Sequence, residues 1–531
     1  MFKTTLVDFK NSGTLNPLVL DYLEKNNKIA PFYSYFPDTE GFSKLLKTKP
    51  YADFDRTALS DILLKQSAEV KNTFEATHAN IGLLKNENVF TITTGHQLCL
   101  FTGPLYFIYK IFSAINLAEK LKKEFPAFNF VPVYWMASED HDFEEISNFT
   151  SKGKTVIWES EQKGAVGDFK TAELKKILPQ VREALGISEN ANYLFTLFEN
   201  AYLKHATLSQ ATRYLVNELF GKYGLVILDG NDEAFKKQIK TLFKKDIFEN
   251  YPVTAVNDSI KKLETLGYHA QVNPRDINCF FIENNLRARI EKKEGTYSLV
   301  GTDRSFSAQE MEHIIENRPH QLSPNVVLRP VYQQMILPNI AYVGGPGELA
   351  YWLEFKAMFE SLDVLFPILV PRSFLTIINQ PLQHKIDQLK FSGSDFFKTE
   401  QDLIRDFMIK NKQVFDLGAE KEKIRVLYAE LTGRAAAVDK TLSGHIAAEL
   451  QKTLNKLDII SGKANKALKR KSETDLNRIS TIKQVLFPRN IPQERVENFS
   501  TFYIEYGPGF FEALKKEINS FELSHKILTE K

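Results

Sequence analysis

Cysteine is nearly absent: Cys99 and Cys279 are the two thiols in 531 residues. So few in so long a chain exclude a disulfide framework and point to a reducing compartment. An excess of one charge is also missing. Lys and Arg total 68 and Asp and Glu 66, a net +2, so no global field draws the chain to nucleic acid or to an anionic membrane. No apolar run reaches the roughly 18 residues that suggest a membrane helix, and the opening MFKTTLVDFKNSGTLNP lacks an apolar signal core. There is no Walker phosphate loop, no zinc-ligand spacing, no Ser-His-Asp motif, no low-complexity segment and no internal repeat. These absences leave a cytoplasmic globular protein, for which 43% apolar and 25% charged residues are ordinary. One core does not suffice at this length, and about two or three domains are expected.

Residues 1–87 read as mainly helical, with a charged amphipathic stretch from about Asp55 to Leu84. Val89–Thr93 reads as a strand and Thr94–Gly103 as a loop. A helix is predicted from Pro104, a favoured first helical residue, with Thr102 or Gly103 as its cap. Phe130–Ala137 is apolar throughout, as a strand covered on both faces is. Strand, helix, strand in that order demands a parallel pair. The polar segment 151–205 reads as an insertion, and Gly224–Asp229 as another buried strand. A second insertion, about 232–325, carries an antiparallel excursion over 268–301. Ile340–Val343, the loop Gly344–Gly347 and a helix from Glu348 repeat the strand–glycine–helix design, and Leu365–Val370 is the last core strand. Beyond residue 380, Ile424, Leu427, Leu431, Ala435, Val438, Leu442, Ile446, Leu450, Leu454 and Leu457 recur in steps of three and four. No proline interrupts them, which predicts one long helix that pairs with another. The fold class is α/β: a parallel-sheet core over 1–380, a helical arm over 381–487, and a segment 488–531 that returns to the core.

Ligands of an open parallel sheet bind beyond the carboxyl ends of its strands, and three segments are predicted there. Thr94–Pro104 precedes a helix start without a carboxylate, whose free N–H groups and dipole favour an anion; His96 and Gln97 add donors. In Ser138–Glu145, Glu139, Asp140, Asp142, Glu144 and Glu145 repel one another unless a cation sits among them, either Mg²⁺ or a substrate ammonium. His141 lies in that run, as a base or a salt-bridge partner. The third segment holds Gly344, Gly345 and Gly347, with Glu348 in the first helical turn favouring an ammonium. Arg329, Gln333, Arg372 and Ser373 flank it and suit a carboxylate or a phosphate. One loop for an anion and one for a cation fit an amino acid, which carries both. Cys99, among Leu98, Leu100 and Phe101, reads as packing, and Lys469–Ser472 as a solvated helix face.

The stretches TGHQLCLFTGPLYFIYKI, VPVYWMASEDHDFEEI, LSPNVVLRPVYQQMILPNIAYVGGPGELAYW and PQERVENF resemble the bacillithiol biosynthesis family called BshC, in order along most of the chain. The resemblance implies a Rossmann-like core with connective insertions, similar to class I aminoacyl-tRNA synthetases, and a coiled-coil arm that mediates a homodimer. It implies a ligase that adds cysteine to glucosaminyl-malate, consuming ATP or another nucleotide with or without Mg²⁺, through a cysteinyl-adenylate or an acyl-phosphate. Gly95, His96, Gln97, Thr102 and Gly103 would then line a nucleotide-like site. Glu139, Asp140, His141 and Asp142 would stand beside it as the catalytic group, with Asp140 and Asp142 as the metal ligands. The chain departs from the family pattern in reading Gly-His-Gln at 95–97 instead of Gly-Gln-Gln, and in lacking a KMSKS-like loop. The alternative is a non-catalytic dimeric scaffold that keeps a synthetase-like pocket for metabolites.

Overall fold

The computed structural model describes residues 1–48, 51, 54–71 and 73–531. The chain divides into two units, Met1–Thr376 with Gln493–Leu528, and Ile377–Pro492 with Thr529–Lys531. The first is built on five parallel strands: β1 (Val89–His96), β2 (Asn129–Met136), β3 (Val226–Asp229), β4 (Asn339–Gly344) and β5 (Ile368–Pro371). Their spatial order is β3-β2-β1-β4-β5. In this doubly wound order the direction of winding reverses between β1 and β4, which leaves a crevice beyond their carboxyl ends. Successive residues of each strand feed opposite faces. Val89, Val131, Val133, Val226 and Leu369 join one buried cluster, while Phe90, Ile92, Phe130, Ile368 and Val370 join another. Both faces are therefore covered, as a parallel sheet requires.

β1 runs three residues beyond its predicted end. Thr94, Gly95 and His96 pair with Tyr134, Trp135 and Met136 of β2, so Gly95 and His96 end a strand and do not sit in a loop. The following turn is left-handed at Phe101, Thr102 and Gly103, with φ of 49°, 70° and 62°. Asn498 holds it by donating to the carbonyls of Phe101 (2.8 Å) and Gly103 (2.6 Å). The chain straightens only afterwards, and helix α1 spans Tyr106–Glu124 instead of starting at Pro104. Two shorter helices complete the edge of the crevice, α2 (Arg329–Ile336) before β4 and α3 (Pro346–Leu353) after it. Upstream, the stretch read as one amphipathic segment forms two helices, Arg56–Ser67 and Glu75–Leu83. Buried Arg56 donates to the carbonyls of Glu87 (3.1 Å) and Val89 (2.7 Å) and so fixes the start of β1.

The first insertion holds a hairpin, Asn148–Ser151 with Lys154–Ile157, and the helices Leu178–Leu185 and Glu189–Leu203. The second carries an antiparallel sheet in the order Ser305–Phe306, Thr296–Leu299, Leu286–Lys293, Cys279–Glu283, Leu322–Pro324. In the other unit, the long helix predicted over 424–457 is two, α4 (Gly418–Ala436) and α5 (Leu442–Lys471). The chain turns between them, where Asp439 accepts from the Thr441 N–H at 2.8 Å. Phe415 meets Asn465, Lys421 meets Asp458 and Tyr428 meets Thr453, an antiparallel register. The apolar repeat therefore pairs with itself inside one chain, in a helical coiled-coil hairpin. Among the described residues no helix is long and apolar enough to cross a membrane.

Candidate functional site

A cavity of about 640 Å³ opens at the carboxyl ends of β1, β2 and β4. Gly95, His96, Gln97, Glu139, Asp140, His141, Arg329, Gly345, Gly347, Glu348 and Arg372 line it. Thr102, Gly103, Asp142, Gly344 and Ser373 do not. Thr102 and Gly103 belong to the turn pinned by Asn498, where a Cβ on Gly103 would come within 2.6 Å of the Cys99 Cβ. Asp142 caps a short helix by accepting from the Glu145 N–H at 3.3 Å. Gly344 ends β4 with its carbonyl bonded to the Arg372 N–H at 2.9 Å, and the Ser373 N–H is taken by Ser113 at 3.0 Å.

The charges settle differently from the pattern in the sequence. At the start of α1 the Leu105 N–H is already taken, donating to the Glu497 carbonyl at 2.7 Å. One turn on, α1 supplies buried Lys110, which bonds the Gly95 carbonyl and pairs with Glu348 at 2.7 Å. Tyr342 (2.6 Å) and the Gly345 N–H (2.8 Å) also donate to Glu348. Burial works to raise this carboxyl, yet Lys110 and these donors outweigh it and hold it below the ordinary range. Glu348 is thus neutralised from within, and no substrate ammonium is needed to balance it.

The acidic run is resolved in the same way, group by group. Glu139 pairs with fully buried Lys236 at 2.6 Å. Gln97 spreads its amide between Asp140 (2.9 Å) and Glu145 (2.7 Å). Burial works to raise Asp140, but hydrogen bonds from His141 and Gln97 prevail and hold it well below the usual carboxylate range. His141 lies 3.4 Å from Asp140 and accepts from Arg287 at 2.7 Å. Among the described residues no group of three His, Cys, Asp or Glu side chains is arranged to hold a metal, and of the two expected Mg²⁺ ligands Asp140 lines the cavity while Asp142 does not.

His96 is 8% exposed, and its Nδ1 lies 2.8 Å from the Gln97 carbonyl. Burial, reinforced by Lys110, pushes the imidazole down to about 4, so the ring is neutral at physiological pH. A neutral ring donating from Nδ1 leaves Nε2 as an acceptor, and Nε2 has no partner. Cys99 is buried, and burial pushes its thiol up to about 12, which removes it as a nucleophile. Arg372 forms a two-pronged pair with Glu494, at 2.6 and 3.0 Å. Arg329 reaches Gln333 at 3.0 Å and has no carboxylate partner, and its Nη2 is buried without any partner. Seven cationic side chains line the cavity, Lys110, Arg275, Arg287, Arg289, Arg329, Arg372 and Arg495, against the four acids Glu139, Asp140, Glu145 and Glu348. The site is built for anions. Sequence reasoning missed Lys110, whose signal was the one charge in the otherwise apolar first half of its helix, and the arginines of the insertion, which carry no local signal.

The bacillithiol biosynthesis BshC N-terminal Rossmann-like domain matches residues 2–373, and the BshC C-terminal coiled-coil domain matches 375–530. Proteins named "Putative cysteine ligase BshC" from Flavobacterium johnsoniae and Flavobacterium psychrophilum are each 41% identical over 529 residues, covering 99% of both chains. One from Christiangramia forsetii is 39% identical over 533 residues, again with 99% of both covered. A Campylobacter jejuni structure called "putative arginyl t-RNA synthetase" covers 87% of this chain and 95% of its own at 11% identity; its TM-score of 0.21 carries no argument. By the domains matched and by full-length relatives, this chain belongs to the BshC family of bacillithiol biosynthesis.

Proposed function

We propose that this chain is a nucleotide-consuming cysteine ligase that joins the carboxyl group of cysteine to the amine of glucosaminyl-malate. The observation that carries this reading is a crevice at the β1/β4 reversal whose own carboxylates are already paired, leaving cationic groups for a ligand. The carboxylate of cysteine, the malyl end of the acceptor and the phosphates of a nucleotide are all anionic. The carboxyl group is activated as an adenylate or an acyl-phosphate. The amine nitrogen then forms the C–N bond as the C–O bond to the leaving group breaks, and the amine gives up a proton. Arg329 and Arg372 suit the carboxylate, and the His96 Nε2 lone pair suits a substrate N–H or S–H. No step is routed through Mg²⁺; Asp140 is the carboxylate of the expected pair that faces the cavity and would contact it. The reading places the enzyme in the cytoplasm. Exposed Val426, Leu427, Leu431, Ile459 and Ile460 on α4 and α5 support pairing with a second copy as a homodimer.

Mass spectrometry of the purified chain with cysteine, glucosaminyl-malate and each nucleotide in turn tests the reading. A species equal to both substrates less water is expected with one class of nucleotide. Binding of the substrates without that product would favour the metabolite-binding scaffold. In the same assay, Asp140→Asn is expected to lower kcat/KM tenfold or more, since charge-assisted hydrogen bonds are worth about 1.5–3 kcal/mol. Asp142→Asn is expected to stay within about threefold, because asparagine caps a helix as well as aspartate does. Equal loss in both would return Asp142 to the mechanism.

A further inference from the structure

The crevice has a second set of cations, supplied by the antiparallel insertion. Arg287 and Arg289 lie two apart on Leu286–Lys293, so both project to one face of that strand, about 7 Å apart along it. With Arg275 they line the cavity. The Arg287 guanidinium stacks 3.8 Å over the Phe280 ring and donates to His141, while Arg289 pairs with Glu291 at 2.5 Å. These contacts set the planes of both side chains but leave both Nε atoms buried and without a partner. The sheet edge holds two more such donors. Arg329 Nη2 and Arg372 Nε are unpartnered, and a Cβ on Gly95 or Gly345 would lie 3.8 or 3.7 Å from those two guanidinium groups. A buried guanidinium N–H left unpaired is costly, so orphans grouped in a cavity wall mark where a ligand completes the bonding.

Resting on the ligase reading, we propose that the insertion selects the acceptor substrate: Arg275, Arg287 and Arg289 take a dicarboxylate, and Arg329 with Arg372 takes the carboxylate of the amino acid. Planar forks on alternate residues of one strand suit two carboxylates carried by one small molecule. The division also explains why the loops of the Rossmann edge carry so much internal pairing. They hold the reacting ends in place, while the insertion reads what is distinctive in the acceptor.

Calorimetry on the full chain tests this with glucosaminyl-malate, glucosamine, malate, pyrophosphate and cysteine as separate probes. Arg275→Gln and Arg289→Gln are the cleaner variants, since Arg287 also holds His141; a thermal melt confirms that each is folded. The expected result is a tenfold or greater rise in Kd for glucosaminyl-malate and malate in Arg275→Gln and Arg289→Gln, with cysteine affinity unchanged. Unchanged acceptor affinity in all folded variants would overturn the proposal, as would an equal loss for cysteine or a loss confined to pyrophosphate. Its fate is separable from that of the ligase reading. Arginine-dependent malate binding without product would sink the ligase and keep the subsite. Product formation with an acceptor KM indifferent to the arginines would do the reverse.

Discussion

Glu494→Gln is expected to destabilise the first unit by about 3–5 kcal/mol, the usual consequence of removing one partner of a buried ion pair. Arg372 and Glu494 are 2% and 1% exposed, and both prongs of the pair are short. Glu494 also accepts from the Leu375 N–H at 3.3 Å. Without its carboxylate, the Arg372 charge would sit between the rings of Tyr106 and Phe374, whose centroids lie 5.2 and 4.3 Å away, with no counter-charge. Urea unfolding measures the loss, and the double variant Arg372→Met/Glu494→Met should recover a substantial part of it. A double variant as unstable as the sum of the two single ones would show that shape, and not charge, is what the pair supplies.

His96→Gln is expected to make the protein more resistant to acid. The imidazole titrates near 6.5 in an unfolded chain, and burial holds it down to about 4 in the folded one. A base with a depressed folded value contributes stability that is complete above pH 6.5 and is lost as pH falls through 4. The difference amounts to about 3 kcal/mol between pH 7 and pH 4. His525, also pushed down to about 4 by burial, is retained in both proteins, so the comparison isolates His96. Unfolding free energies measured at both pH values should show the native protein losing about that much more than the variant. Parallel losses would mean that His96 is already charged in the folded state.

The strands and their order of use were legible in the sequence, because Val89–Thr93, Phe130–Ala137 and Ile340–Val343 are apolar runs that end in glycine or acidic loops. Pairing was not legible. The extension of β1 to His96 depends on Trp135 and Met136 lying alongside, which no local pattern encodes. The acidic run shows the same limit. Five neighbouring carboxylates imply repulsion only if nothing else approaches, and Lys236, Gln97 and His141 all do. Lys110 and Glu348, 238 residues apart, cancel each other where the sequence offered one empty helix start and one free acid. The coiled-coil repeat was legible as periodicity, whereas the turn at 437–441 that folds it back on itself was not.

The late arrival of residues 493–528 in the first unit has a consequence for biosynthesis. Asn498 holds the carbonyls of Phe101 and Gly103 from 397 and 395 residues downstream, and Glu494 meets Arg372 across 122. A ribosome therefore exposes β1 to β5 and then translates the entire hairpin of α4 and α5 before the turn at 101–103 can lock. Contacts so distant in sequence close slowly and only after their loops have been ordered. Until residues 494 and 498 emerge, the nascent crevice carries an uncompensated arginine and an unpinned turn, so a message truncated shortly before codon 494 yields a chain with every strand of the parallel sheet and no way to finish the crevice.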